Sequence, residues 1–464
     1  MHNRIVSLYL SLFSISFFSI YFLLPLASAV NILIIIFSYW FIIIKKELFP
    51  VLILLMYSRC INGFVIPGEP IFFKLFTLLT SYLPLCIYGY IWKSRITTKR
   101  LLIIINKYFF TFIYLLFLIF YSLLNIELSL QLFFQRLVPM IMLMLAITVI
   151  DFRGEWKVII NFLRYIFISS LLLLFLSDYL TKSSELLESG MVFGEPSENI
   201  SLAFLGFPRS MGVFWDPRIL ALFSVVFFMM SLLSERYRLK KVDMFLSIFT
   251  LAVTFSRGGW VLFVITIIGV ALHFRNVKTF ISIALIGIIA IIVITFSDSN
   301  YEFYAFISSF NPFSNEVNAL SQRSGFKEFA LEEFRKNPLG WGVGYLKAKG
   351  IDRAIVVGET TYAQASDAFL FIQLAEIGIV GFCVFSASLF EMLYKKTFIS
   401  FFFVVGLFAL MTGTDIPDFG SFYLVFILLS IYIMNKSIFS NISKYNIRKY
   451  IEKYCQQPFI KPSE

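Results

Sequence analysis

The chain has 464 residues, 59% of them hydrophobic and only 14% charged, with a formal net charge of +11. Soluble domains carry roughly 25% charged residues, so this composition excludes an ordinary soluble globular protein and points to a chain that crosses a membrane many times. The positive charge is what Lys and Arg on the inner loops of such a protein supply, and no nucleic-acid partner is expected.

Taken in chain order, apolar runs predict membrane spans at residues 5–27, 30–44, 48–64, 71–92, 108–124, 128–150 and 158–176, then at 219–233, 244–255, 260–273, 280–296, 368–393, 398–411 and 422–434. The expected fold is an all-α polytopic membrane protein with about 14 spans, the range being about 12–14 because several runs are shorter than the roughly 20 residues of a full crossing. The first run is too long for a signal-peptide core and is followed at once by another, so it is read as a span that stays.

Short basic exits follow the even-numbered spans: Lys45-Lys46, the Lys93–Arg100 cluster, Arg153 and Lys157, Arg236–Lys241, Arg275 and Lys278, and Lys395-Lys396. The opposite short exits carry almost no cations. The positive-inside bias therefore puts both termini on the cytoplasmic side of an inner membrane. The chain reads as one transmembrane helical domain over 1–464. It carries periplasmic loops at 177–215 and 297–366, the longer one a lid, and a basic cytoplasmic tail at 436–464. Within the long loop, residues 316–335 have helical apolar spacing and predict an amphipathic helix, ended by Asn337-Pro338. Membrane lipids are the expected surroundings.

Four cysteines are scattered without CxxC spacing, and the two histidines are His2 at the terminus and His273 in a basic loop. No metal and no cofactor are expected. The chemistry-bearing residues are instead arginines on the outer side, where the topology bias disfavours them. Arg136 lies inside an apolar span, where an unpaired cation costs roughly 2.5 kcal/mol or more. Arg257 sits between Ser256 and two glycines. Arg209 and Arg218 flank the entry to the span at 219–233, whose start suits Pro217, and Arg323 and Arg335 lie on the amphipathic segment. Arginines converging in a wet cleft suit a diphosphate through bidentate hydrogen bonds; any one of them can equally pair with a carboxylate or reach lipid phosphate. Asp367 opens the span at 368–393 and is a candidate general base or a helix cap. The run Gly340-Trp-Gly-Val-Gly344 lacks a phosphate-loop lysine and is expected to let backbone fold tightly under the bundle.

Four ordered patches resemble the O-antigen polymerase and O-antigen ligase family of integral-membrane glycosyltransferases. They are Arg209-Ser-Met-Gly-Val-Phe-Trp-Asp-Pro-Arg218; Thr254-Phe-Ser-Arg-Gly-Gly-Trp260; Arg323 with Asn337-Pro-Leu-Gly-Trp-Gly-Val-Gly344; and Asp367-Ala368 followed after nine residues by Gly378-Ile-Val-Gly381. The last is similar to a ligase pattern of His-Asn, nine residues and Gly-x-x-Gly, with Asp367 and Ala368 in place of His-Asn. That departure favours the polymerase branch. The resemblance implies metal-independent polymerisation of undecaprenyl-diphosphate-linked oligosaccharide repeat units into O-antigen or a similar surface polysaccharide at the periplasmic face. Asp367, Arg257 and Arg323 would be catalytic, Arg209, Arg218, Arg257, Arg136 and Arg335 would hold the diphosphate, and a chain-length regulator is a possible partner. The alternatives are a ligase that transfers polymer to lipid A-core and a transporter of lipid-linked glycan.

Overall fold

In the computed structural model, residues 2–22, 24–62, 79–124, 126–149, 156–182, 212–214, 217–234, 239–254, 256–274, 329–346, 369–412, 420 and 423–435 are described. Among them there are helices and turns and no strand. In chain order the helices are α1 (His2–Phe22), α2 (Leu24–Trp40), α3 (Phe49–Asn62), α4 (Leu83–Ile91), α5 (Thr98–Lys107), α6 (Phe109–Leu123), α7 (Ile126–Val149) and α8 (Trp156–Lys182). They continue with α9 (Pro217–Leu233), α10 (Lys240–Val253), α11 (Arg257–Phe274), α12 (329–336), α13 (Phe369–Leu393), α14 (Phe398–Met411) and α15 (Tyr423–Asn435).

The helices bury large apolar side chains against one another, among them Phe162, Phe167, Phe223, Phe227 and Phe403. Their outward faces are apolar too: Phe245 is 69% exposed and Phe120 60%. Water would not tolerate so much uncovered hydrocarbon, whereas acyl chains would. By length and apolarity, α13 alone among the described helices suffices to cross a membrane unaided, and α5 with α6 does so only as a bent pair.

Small residues set the closest packing. Among the described helices, α11 and α14 share the most extensive interface. A Cβ on Gly269 would lie 2.6 Å from Cβ of Phe402, one on Gly258 2.3 Å from Leu410, and one on Gly406 2.9 Å from Leu262. Glycine here lets two helix backbones approach where no solvent-driven burial holds them together. Polar groups tie other helices: Tyr9 meets Ser38 at 2.6 Å, and Ser16 donates to Asn31 at 2.7 Å, with Tyr57 on the same amide oxygen. Arg164 on α8 grips Asp243 on α10 in a bidentate pair of 2.6 and 2.7 Å.

The expected spans at 398–411 and 219–233 match α14 and, after Pro217, α9. The expected span at 280–296 and the start of the helix at 316–335 lie outside the described residues; its end, at 329–336, is helical and stops before Asn337-Pro338 as expected. The cluster at 93–100 differs from its reading as a plain loop. Lys93–Arg95 form a 3₁₀ turn, and Thr97 then accepts a hydrogen bond from Arg100 N and starts α5, which meets α6 at 91°.

α6 is held at its start by a carboxylate from α13. Glu391 accepts from Phe110 N at 3.2 Å and from Thr111 N and Oγ1 at 3.0 Å each, filling the open donors of a helix N-terminus. Just beyond α13, Lys395 sits half-buried with Lys107 nearby. Burial first, and Lys107 second, push its ammonium down from 10.5 to about 8, against the opposing pull of Glu391. Between those two values the unfolded chain holds a proton that the folded chain does not, so this group's contribution to stability rises with pH across that window and its full cost is felt below about 8. Lys395→Met is expected to raise the melting temperature at neutral pH, with the gain shrinking as pH climbs from about 8 to 10.5. A thermal-unfolding series against pH in detergent checks this; a gain that grows with pH would contradict it.

Candidate active site

The candidate site begins with a break in a helix. Within α13, Gly378 adopts φ 67° and ψ −178° and interrupts the helical path. Such a break leaves carbonyls and N–H groups open, which is costly in apolar surroundings unless other protein groups fill them. The glycine run fills them here. Trp341 N donates to Ala375 O at 3.1 Å, Gly342 N donates to Glu376 O at 2.8 Å, and Ile379 N donates to Pro338 O at 3.0 Å.

Gly340, Gly342 and Gly344 have φ of 98°, 97° and 89°, which side chains resist. The two backbones also touch. A Cβ on Gly340 would stand 2.6 Å from Glu376 O and Gly378 N, and one on Gly378 would stand 2.3 Å from the Leu339 carbonyl. The tight backbone fold expected of this run is thus a clasp on a broken helix.

The next layer is electrostatic. Glu376 is the last charge before the break. Its Oε2 accepts from Arg136 Nη1 at 2.7 Å and its Oε1 accepts from Gly344 N at 2.9 Å. The side chains are 4% and 1% exposed, so this ion pair is dry. The Arg136 guanidinium also lies 5.5 Å from the Phe369 ring centre. From α6, Tyr121 accepts from Val343 N through its carbonyl at 3.0 Å and donates its hydroxyl to Leu339 O at 2.5 Å.

α12 closes the other side of the clasp. Trp341 Nε1 donates to Glu333 O at 2.9 Å, Tyr345 donates to Glu333 Oε2 at 3.1 Å, and the Trp341 and Tyr345 rings stack at 4.9 Å. Phe329, Ala330 and Leu346 pack on Ile372 and Ala375 of α13.

Beneath the clasp is a narrow recess lined by Tyr114, Leu118, Arg136, Met140, Phe385 and Tyr423. Tyr114 donates to Gln373 Oε1 at 3.0 Å, and Gln373 Nε2 is buried with no acceptor among the described residues. The recess has room for about one water molecule, and its cation, Arg136, is already paired with Glu376.

Of the residues singled out from the sequence, Arg136 is in this cluster. Arg218 is half-buried in the first turn of α9, and Arg335 is exposed on α12. Arg209, Arg323 and Asp367 lie outside the described residues, as does the side chain of Arg257. The backbone around Arg257 is described: Ser256 Oγ accepts from Gly259 N at 3.4 Å and starts α11. What approaches its two glycines is helix, with Leu410 against Gly258 and Ala221 against Gly259.

Sequence reasoning missed Glu376, Tyr121 and Gln373. Glu376 had a signal, as the lone charge in an apolar run with a lone arginine in another, since charges at such depth pair.

Residues 244–386, about a third of the chain, match the family model described as O-Antigen ligase. The match supports the O-antigen ligase/polymerase family for this chain. No curated protein and no solved structure matches it. The family is membrane-integral and acts on lipid-linked glycans. The matched segment includes α11, α12, the glycine clasp and Glu376; Arg136, Tyr114 and Tyr121 are supplied from outside it.

Gly340→Ala and Gly378→Ala each force a left-handed residue and a backbone clash, at a combined cost of roughly 3 kcal/mol or more. Each is expected to lower the melting temperature and abolish product in cells, while Gly89→Ala, whose Cβ would find only ordinary contact with Leu145 at 3.6 Å, is tolerated. Thermal unfolding of the three purified variants checks this, and a Gly378→Ala protein as stable as wild type would refute the clasp.

Proposed function

We propose that the chain is a polysaccharide polymerase: it transfers a growing glycan from its undecaprenyl-diphosphate carrier onto the next lipid-linked repeat unit at the periplasmic face of the inner membrane. The observation that carries this is the family match over residues 244–386. The choice of branch rests on Asp367-Ala368 where the similar ligase pattern has His-Asn.

In this account an acceptor hydroxyl attacks the anomeric carbon of the donor glycan. The bond from that carbon to the diphosphate oxygen breaks, and the lipid diphosphate leaves with the electron pair. Asp367 takes the hydroxyl proton. Arg209, Arg257 and Arg323, with Arg218 and Arg335, neutralise the charge that develops on the diphosphate. Arg136, already engaged by Glu376, supports the site by fixing the glycine clasp from below. Asp367 precedes Phe369, the ring beside Arg136, by two positions in the chain, so the start of α13 joins the proposed base to that support.

A second reading is favoured by one observation, the description of the matched family model as O-Antigen ligase. A ligase would attach finished polymer to lipid A-core. A glycan gel of a deletion strain, complemented with wild type, Arg257→Ala or Asp367→Ala, separates the two. The polymerase account expects a single repeat unit on the acceptor in the deletion and in both variants. Long lipid-linked polymer that remains unattached would establish the ligase instead, and normal polymer in the Arg257→Ala strain would sink the proposed diphosphate contact.

A further inference from the structure

Helix α5 has no role in the transfer chemistry and an unusual position. It is ten residues long, Thr98–Lys107, and it turns 91° away from α6. A short helix with separate apolar and charged arcs is suited to a membrane surface. At roughly 100° per residue, Leu101, Leu102, Ile104 and Ile105 share one arc, and Lys99, Arg100, Asn106 and Lys107 share the opposite one with an exposed Ile103 among them. Ile104 is buried against the bundle, but Leu102 is 56% exposed and Leu101 38%. The apolar arc is therefore wider than the protein covers.

Charge marks what covers the rest. Lys107, at the end of α5, and Lys395, in the turn after α13, come together here, with Lys99 and Arg100 earlier on α5 and Lys396 next to Lys395 in the chain. Lys107 Nζ stands 5.3 Å and Lys395 Nζ 5.8 Å from the centre of the same ring, that of Tyr108. The two ammonium groups are thus gathered around one buried tyrosine. The facing carboxylate is Glu391, whose oxygens already receive three donors from the start of α6. Burial, and after it the nearby Lys107, depress the Lys395 ammonium, and an anion between the two lysines would offset the second of these. The exposed rings of Tyr90, Phe109, Tyr394 and Phe398 lie on neighbouring segments, the amphipathic belt expected at a headgroup boundary.

We infer that α5 with Lys107 and Lys395 forms a binding site for the headgroup of an anionic phospholipid, whose acyl chains cover Leu101 and Leu102. Hydrocarbon and anion are then supplied by one molecule, which a soluble anion cannot do. The lipid steadies the start of α6, the helix whose far end holds the glycine clasp through Tyr121. This site stands independently of which transfer reaction the protein performs.

The test uses the full chain purified in a neutral detergent, with thermal unfolding followed as phosphatidylglycerol, phosphatidylcholine or inorganic phosphate is added. Phosphatidylglycerol is expected to raise the melting temperature, and the other two to leave it nearly unchanged. Lys107→Gln with Lys395→Gln should lose most of that shift, and Lys107→Arg with Lys395→Arg should keep it. Should the double glutamine variant fail to fold, Lys107→Gln alone, at an exposed position, is measured and must still reduce the shift. An equal shift with phosphatidylcholine would mean unspecific lipid packing, a shift with phosphate alone would mean a free-anion site, and an unreduced shift in the glutamine variants would place the lipid elsewhere; each overturns the proposal.

Discussion

One carboxylate holds the centre of this protein together. Glu376 answers a buried guanidinium with one oxygen and an open backbone N–H of the glycine run with the other. Each of these groups would be costly alone: an uncompensated buried charge is worth roughly 3–5 kcal/mol of lost stability, and an unfilled backbone donor about 1–3 kcal/mol. Together they cancel, and the chain can break a helix in apolar surroundings without leaving polar groups bare. The break matters because it creates a non-helical surface of peptide groups inside a bundle, and in membrane proteins such surfaces are tolerated where they are covered by protein or line a cavity.

The rest of the described structure is arranged to keep that break in register. α6 runs as a strut beside α13, its start fixed by Glu391 and its end by Tyr121. α12 is pinned to the same run through Glu333, Trp341 and Tyr345. α11 is brought against α14 and α9 by glycines that admit no side chain, so the Ser-Arg-Gly-Gly turn sits where two tight interfaces meet. A segment of the long hydrophilic interval thereby becomes part of the bundle's own packing, with α13 as its floor.

Much of this architecture was legible as pattern. The ends of α14 and the start of α9 follow from where apolar runs begin and from Pro217, because apolar length and helix-start chemistry are local properties. α5 was not legible, since its apolar residues are too few to register as a run and its charges sit at both ends; the sharp turn at Tyr108 is a tertiary fact. Arg136 stood out as a cation in oil, but its partner is 240 residues away, and nothing local selects one carboxylate from many. The two glycine patches were visible as separate motifs. That each is glycine because of the other shows only when Gly340 and Gly378 are seen backbone to backbone. Arg209, Arg323, Asp367 and the Arg257 side chain, which carry the proposed chemistry, lie outside the described residues, so their placing rests on sequence.

The central claim is that Arg136 and Glu376 stabilise the clasp as a pair and not as two separate groups. A double-mutant cycle with Arg136→Met, Glu376→Gln and the combined variant, read by thermal unfolding of the purified protein, tests it most directly. The account predicts that each single change is severe, that Arg136→Met is worse because it strands a buried carboxylate, and that the combined variant recovers part of the loss, a coupling of about 1–3 kcal/mol. Strictly additive losses would show that the two side chains act independently and that the clasp is held by its backbone alone.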